Sequence, residues 1–342
     1  MCVTMRRVYY TTAKRFEQSI DIYSPSGKNI TPHQQTLPLV ALVVGSAWLG
    51  HRSIIYAGTS WWNSSGPKQI ASVGAVCVCI RHRGAFPHPP ASFLVLFAVL
   101  SAAVCVSLWI TSRHLAVFAA GLAAGACVVA LLWELGWRGA ATYLDMLNDV
   151  ALALSWVRSN RESLAAPGCA PAPRLVFGGY SSGGHVAATL LQRLDVLARH
   201  GLPAPTHGLC DGVLYVSGVF LATKETKLRP TMMPGVCRWI VGTLVRSVFG
   251  AASAVLASPL RDAAHAPRLP HLLIHCEREA AGLWPVEGVM QRFIAGNAYA
   301  AALKSASINV EVVEIRSNHW SMLNSAGLRL ALTECLLVKS WP

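Results

Sequence analysis

The chain has 342 residues, of which 53% are hydrophobic and only 13% charged, with a net charge of +13. Ordinary soluble domains are about a quarter charged, so the shortfall points towards a membrane. The basic residues are scattered, and zinc-finger spacings and aromatic-interleaved basic runs are absent, which counts against a nucleic-acid partner and leaves an anionic membrane surface as the counterpart of the charge.

The ten cysteines include no C-x-x-C pair, and Cys105 and Cys127 sit in wholly apolar runs, a pattern of reduced, cytosol-facing thiols rather than a disulfide framework. The first ten residues carry no apolar core of the signal-peptide kind. Residues 7–10 and Ser19–Tyr23 read as short edge strands, the second stopped by Pro25 and Gly27. Leu37–Val44 is a continuous apolar run, as a strand buried on both faces requires, and it ends in Gly45-Ser46-Ala47-Trp48. A second buried strand follows at Ala75–Ile80, after which Arg81–Pro87 leaves the sheet.

Two uncharged stretches come next, Ser92–Thr111 and Leu115–Trp133, separated by Ser112-Arg113-His114. A single helix over 42 residues would be about 63 Å long, twice the hydrocarbon thickness, so a break at 112–114 is required. The small faces Ala98-x-x-x-Ala102 and Gly121-x-x-x-Gly125 let two spans pack closely. The expectation is a transmembrane hairpin, 91–137, inserted between an N-terminal part of one domain (1–90) and its remainder (138–342). Such a hairpin returns the chain to its starting side. The nine Lys/Arg against two acids in 1–90 place the body in the cytosol. The competing reading, a hydrophobic cap over the site, would call for a polar face that these stretches lack.

Beyond the hairpin, Tyr143, Leu147, Val150, Leu154 and Val157 recur at helical spacing over 141–158. Strands are expected at 174–179, 212–218, 271–275 and 309–315, with helices at 184–199, 286–306 and 321–337. Residues 221–258, with Met232, Met233, Trp239 and Phe249, read as a lid-like or acyl-pocket insertion. Strands alternating with helices imply a doubly wound, mostly parallel sheet.

The chemistry gathers at Gly179-Tyr180-Ser181-Ser182-Gly183, a G-x-S-x-G set between a strand and a helix. A sharp strand-to-helix turn lifts the serine hydroxyl clear of the sheet, and the flanking glycines allow close backbone approach. A serine hydroxyl needs a base, and the base needs an orienting group; in this arrangement they follow in the order serine, acid, histidine. His319, directly after the strand 309–315, is the expected base, with His185 packing behind Ser181 as the rival. Glu279 is the expected acid and Glu277 its alternative, both just past the strand 271–275. Backbone donors near Ser46 and Ala47, joined by the Ser182 N–H, would form the oxyanion hole. Trp48, Trp239 and Trp320 are candidates for pocket walls or core. This scheme uses no cofactor and no metal.

With these residues the chain resembles an α/β-hydrolase of the serine esterase and lipase type, from about residue 19 to the end apart from the insert. Within that superfamily it is most similar to isoprenylcysteine methylesterase and related carboxylesterases, on Gly179–His185, Asn318-His319, Gly45–Trp48, Phe86-Pro87, Asp145-Met146 with Asp149, and Ser258-Pro259. It departs from them at Val44, where many relatives have histidine, at Ser46 in place of glycine, and at a glutamate for the usual aspartate. The resemblance implies a membrane-anchored hydrolase of lipidic or prenylated esters on an endoplasmic reticulum or Golgi membrane, its body facing the cytosol. A formamidase-like amidase and a catalytically weak membrane scaffold are the alternatives.

Overall fold

The computed structural model describes residues 3–25, 37–48, 65–84, 141–165, 174–222, 258–280 and 286–338, together with Gly121, Gly125, 248–250, Leu256 and Gly282. Eight strands form one sheet in the order β1-β2-β4-β3-β5-β6-β7-β8. They are β1 (Val3–Tyr9), β2 (Ser19–Pro25), β3 (Leu39–Val43), β4 (Val76–Ile80), β5 (Leu175–Tyr180), β6 (Gly212–Val216), β7 (His271–Cys276) and β8 (Val310–Ile315). β2 runs antiparallel to β1 and β4, and every other pairing is parallel.

The central strands are short and apolar because both faces are covered. Along β3, Leu39, Ala41 and Val43 enter one core while Val40 and Leu42 enter the other. β4 repeats the alternation, with Val76, Val78 and Ile80 on one side and Cys77 and Cys79 on the other. Helix α1 (residues 65–72) and α7 (Ala326–Thr333) contribute to the second core; α2 (Tyr143–Ser159) and α3 (Ser182–Gln192) to the first. α4 (Leu194–Arg199), α5 (Val286–Ile294) and α6 (Gly296–Ser305) complete the helices.

Four expectations are corrected. β2 is not an edge strand: it lies between β1 and β4, and its polar Asp21 is buried because Arg7 (2.7 Å) and Arg81 both pair with it. Burial works against the Asp21 charge, and the hydrogen bonds from the two arginines outweigh it, so its pKa is lowered. The helix expected at 184–199 breaks at Arg193 and the one at 286–306 at Ala295, whose φ of 45° is left-handed. The closing helix is a 3-10 turn at Ser321–Asn324, then α7, then a π-type turn at Glu334–Val338. Periodicity registers the shared buried face of such pieces and is blind to the joints between them.

The expected spans 92–111 and 115–133 lie outside the described residues, apart from Gly121 and Gly125, which are helical. Among the described residues no helix is long and apolar enough to cross a membrane. Most of 221–258 is likewise outside. The body, however, closes on itself at the insert: Ala141 N–H donates to Gly84 C=O at 3.0 Å. Arg83 binds Asp149 through its side chain (2.8 and 2.9 Å) and its backbone N–H (3.0 Å). Thr142 and Asp145 form a reciprocal capping box that starts α2 beside this junction.

Candidate active site

From β3 the chain passes to β4 on one side and returns to β5 on the other, so the strand order diverges at β3 and β5 and opens a crevice at their C-terminal ends. Ser181 stands there, directly after β5, at φ 54° and ψ −126°. A non-glycine residue in that region is strained by on the order of 1–3 kcal/mol. Close packing holds it: a Cβ on Gly179 would lie 2.4 Å from Gly183 backbone atoms, and one on Gly45 2.8 Å from Ser181 Cβ. The glycines at the elbow and at the end of β3 are therefore steric requirements, and they bring the Gly45–Trp48 turn against the serine.

His319 Nε2 lies 2.9 Å from Ser181 Oγ, and His319 Nδ1 lies 2.8 Å from Glu279 Oε2. Glu279 is fully buried and His319 nearly so. The other carboxylate oxygen, Glu279 Oε1, accepts from Ser217 Oγ and from the Cys276 N–H, each at 3.0 Å. A buried carboxylate is costly unless its lone pairs are satisfied, and here both oxygens are engaged. Glu277, two residues earlier, is exposed. The structure thus brings Ser181, His319 and Glu279 into one hydrogen-bonded chain and leaves Glu277 outside it.

Several supporting groups gave no recognisable sequence signal. Tyr180 OH donates to the His319 carbonyl at 2.7 Å, and its ring lies 5.0 Å from the imidazole. Burial, then the nearby Glu279 charge, push the Tyr180 phenol well up, so it stays a donor. The His319 N–H donates to the Glu279 carbonyl at 3.0 Å. Glu287, at the start of α5, accepts from the N–H groups of Glu279 (2.8 Å), Ala280 (2.7 Å) and Gly282 (2.9 Å), clamping the loop that carries Glu279. Ser217, buried at φ 41°, follows β6 and was legible only as a strand end.

His185 lies behind the elbow, where it was expected. It is fully buried, 2.5 Å from Tyr143 OH through Nδ1, and edge-on to Trp48 at 5.3 Å. Phe249 closes this box against Trp48 and Tyr143. Trp48 is therefore core; Trp320 is partly exposed beside His319, and Trp239 lies outside the described residues.

The expected oxyanion donors divide. Ser46 N–H donates to Ser182 Oγ at 2.9 Å and is engaged within the protein. The Ala47 and Ser182 N–H groups form no hydrogen bond with another described residue. Ala47 and Trp48 both have positive φ, 50° and 61°, so the turn reverses sharply beside the serine. Among the described residues no three His, Cys, Asp or Glu side chains gather to hold a metal ion.

No protein-family model matches the chain, and no curated protein matches it in sequence. Solved structures do match in shape. A thermostable esterase from Pseudomonas putida is similar over 97% of this chain and 80% of its own, with a TM-score of 0.54 and 17% identity. Esterase B from Lactobacillus rhamnosis is similar over 98% and 86%, with a TM-score of 0.59 and 12% identity. Brefeldin A esterase, a bacterial homologue of human hormone-sensitive lipase, is similar over 97% and 73%, with a TM-score of 0.54 and 16% identity. The fold is that of an α/β-hydrolase.

Proposed function

We propose that the protein is a serine hydrolase of carboxylic esters, and the observation that carries this reading is the Ser181–His319–Glu279 chain, closed at 2.9 and 2.8 Å. Ser181 Oγ attacks the ester carbonyl carbon while His319 Nε2 takes its proton. The N–H groups of Ala47 and Ser182 receive the negative charge on the carbonyl oxygen. Collapse of the tetrahedral intermediate breaks the ester C–O bond, and His319 returns the proton to the departing alcohol. Water, deprotonated by His319, then attacks the acyl-serine and releases the acid and free Ser181. Glu279 holds the imidazole tautomer and stabilises its cation throughout.

The substrate we propose is a lipidic ester, with the methyl ester of a prenylated cysteine as the leading case, reached from a cytosol-facing body on an endoplasmic reticulum or Golgi membrane. The uncharged stretches 92–111 and 115–133 support the anchor. The Gly84–Ala141 bond supports it too, because the body is closed where the insert leaves and returns. Five described cysteines, all buried and outside any disulfide, suit a reducing compartment. A soluble amidase substrate gives no role to the apolar insert.

The test is fluorophosphonate labelling of membranes holding the wild type, Ser181→Ala and His319→Ala. Labelling of the wild type alone, extracted only by detergent, is the expected result. A folded wild type that resists the probe refutes the hydrolase reading, and labelled protein in the aqueous fraction refutes the anchor.

A further inference from the structure

Ser182 is the residue after the nucleophile, and its backbone N–H is one of the two donors assigned above. Its side chain does something separate. Ser182 Oγ accepts the Ser46 N–H at 2.9 Å, joining the first residue of α3 to the turn after β3. Ser46 Oγ, by contrast, is buried and makes no hydrogen bond with another described residue. The turn needs holding: Ala47 and Trp48 are consecutive left-handed residues without glycine, at φ 50° and 61°. Strained backbone of this kind persists only where its surroundings over-determine it. On one side the backbone at Gly45 runs so close to Ser181 and Tyr180 that a Cβ there would lie 2.8 Å from each. The Trp48 ring, edge-on to His185, supplies steric contact on the other. The Ser46–Ser182 bond is the polar tie between them.

We infer that the Ser182 hydroxyl is a positioning group, which pins the Ser46 amide and thereby sets the Ala47 N–H at the distance a developing oxyanion requires. The inference rests on the esterase reading and deepens it. It assigns this protein a hole of two backbone donors, with the third amide of the turn committed to the protein itself. The hydroxyl is buried and engaged with the Ser46 amide, so its loss is expected to act on the transition state and to leave ground-state affinity unchanged.

The experiment compares the wild type with Ser182→Ala and Ser182→Thr by hydrolysis of p-nitrophenyl butyrate, by fluorophosphonate labelling rate, and by hydrogen exchange at the Ser46 amide. Ser182→Ala keeps the backbone donor and removes only the hydroxyl. We expect its Ser46 amide to exchange at least about tenfold faster, since one hydrogen bond is lost. Its kcat and labelling rate should fall roughly tenfold with KM within twofold, less than the loss of a whole donor. Ser182→Thr, which retains a hydroxyl, restores all three. Unchanged Ser46 exchange in Ser182→Ala overturns the inference, and so does faster exchange with kcat unchanged or raised. If Ser182→Ala does not fold, Ser182→Cys, a far weaker acceptor, takes its place with the same expectations. A wild type that neither turns over nor labels defeats the esterase reading instead, while the exchange comparison still decides whether the hydroxyl holds the turn.

Discussion

Tyr180 occupies the variable position of the G-x-S-x-G set, and its side chain reaches under the imidazole to donate to the His319 carbonyl at 2.7 Å. A phenol so placed fixes the height of the loop that carries His319. Tyr180→Phe keeps the ring and removes that one bond, worth about 1 kcal/mol net. Its kcat should fall by roughly 3- to 10-fold, with KM and the acid limb of the pH–rate profile unchanged. Steady-state kinetics on a p-nitrophenyl ester would show it, and an unaltered kcat would mean that stacking alone positions His319. Glu279 marks what sequence can say at this scale. Two glutamates lay within reach of one expected role, and residue type cannot separate them. The direction of the side chain decides, with Glu279 fully buried and Glu277 exposed.

Elements place the site because its parts come from the C-terminal ends of four neighbouring strands: Ser181 after β5, Ser217 after β6, Glu279 after β7 and His319 after β8. The loop after β7 is clamped by α5. The Glu287 carboxylate accepts three backbone N–H groups at 2.7 to 2.9 Å. Burial opposes its charge, and the hydrogen bonds, led by that of Gln291, outweigh it and lower its pKa. Glu287→Gln leaves one acceptor oxygen for four donors, the three backbone N–H groups and the Gln291 amide. We expect it to speed amide exchange at 279–282 and to lower kcat, while the melting temperature falls by no more than corresponds to about 1–2 kcal/mol. An equal loss of protection across β7 and β8 would instead reveal a general structural role. Clamps of this sort cross between a loop and the next helix, so no periodic pattern announces them.

On the scale of the whole molecule, buried histidines link folding to pH. Burial lowers the pKa of His271 to about 4 and also lowers that of His82. In the unfolded chain each titrates near the usual value of about 6.5. Between those limits the unfolded chain binds more protons than the folded one. Stability is therefore full above about pH 6.5 and declines as the pH falls towards 4, by up to about 3 kcal/mol for His271. Chemical denaturation at pH 7.5, 6 and 5 would show the decline, and His271→Gln should flatten it; an equal slope in that variant assigns the effect elsewhere. The closed junction at Gly84 and Ala141 carries a second prediction. Replacing 85–140 by a short glycine–serine linker should leave a folded body that labels with fluorophosphonate at the wild-type rate and no longer partitions into detergent. Loss of folding would show that the insert is part of the core.

Much of this protein is written locally. Runs such as Leu37–Val44 and Ala75–Ile80 declare strands covered on both faces, because only burial on two sides tolerates unbroken apolar sequence. The spacing Gly179-x-Ser181-x-Gly183, in its strand–turn–helix frame, marks the elbow, because the steric demand of that turn acts within a few residues. What lay beyond the sequence was every feature that depends on which distant groups meet. β2 became an inner strand because Arg7 and Arg81 neutralise Asp21. Ser46 lost its amide to a hydroxyl 136 positions away. Glu279 joined His319 because Ser217, Cys276 and Glu287 turn and hold it there. Pattern and propensity act along the chain, whereas hydrogen bonds and buried charge are satisfied in space, and only the folded sheet determines their partners.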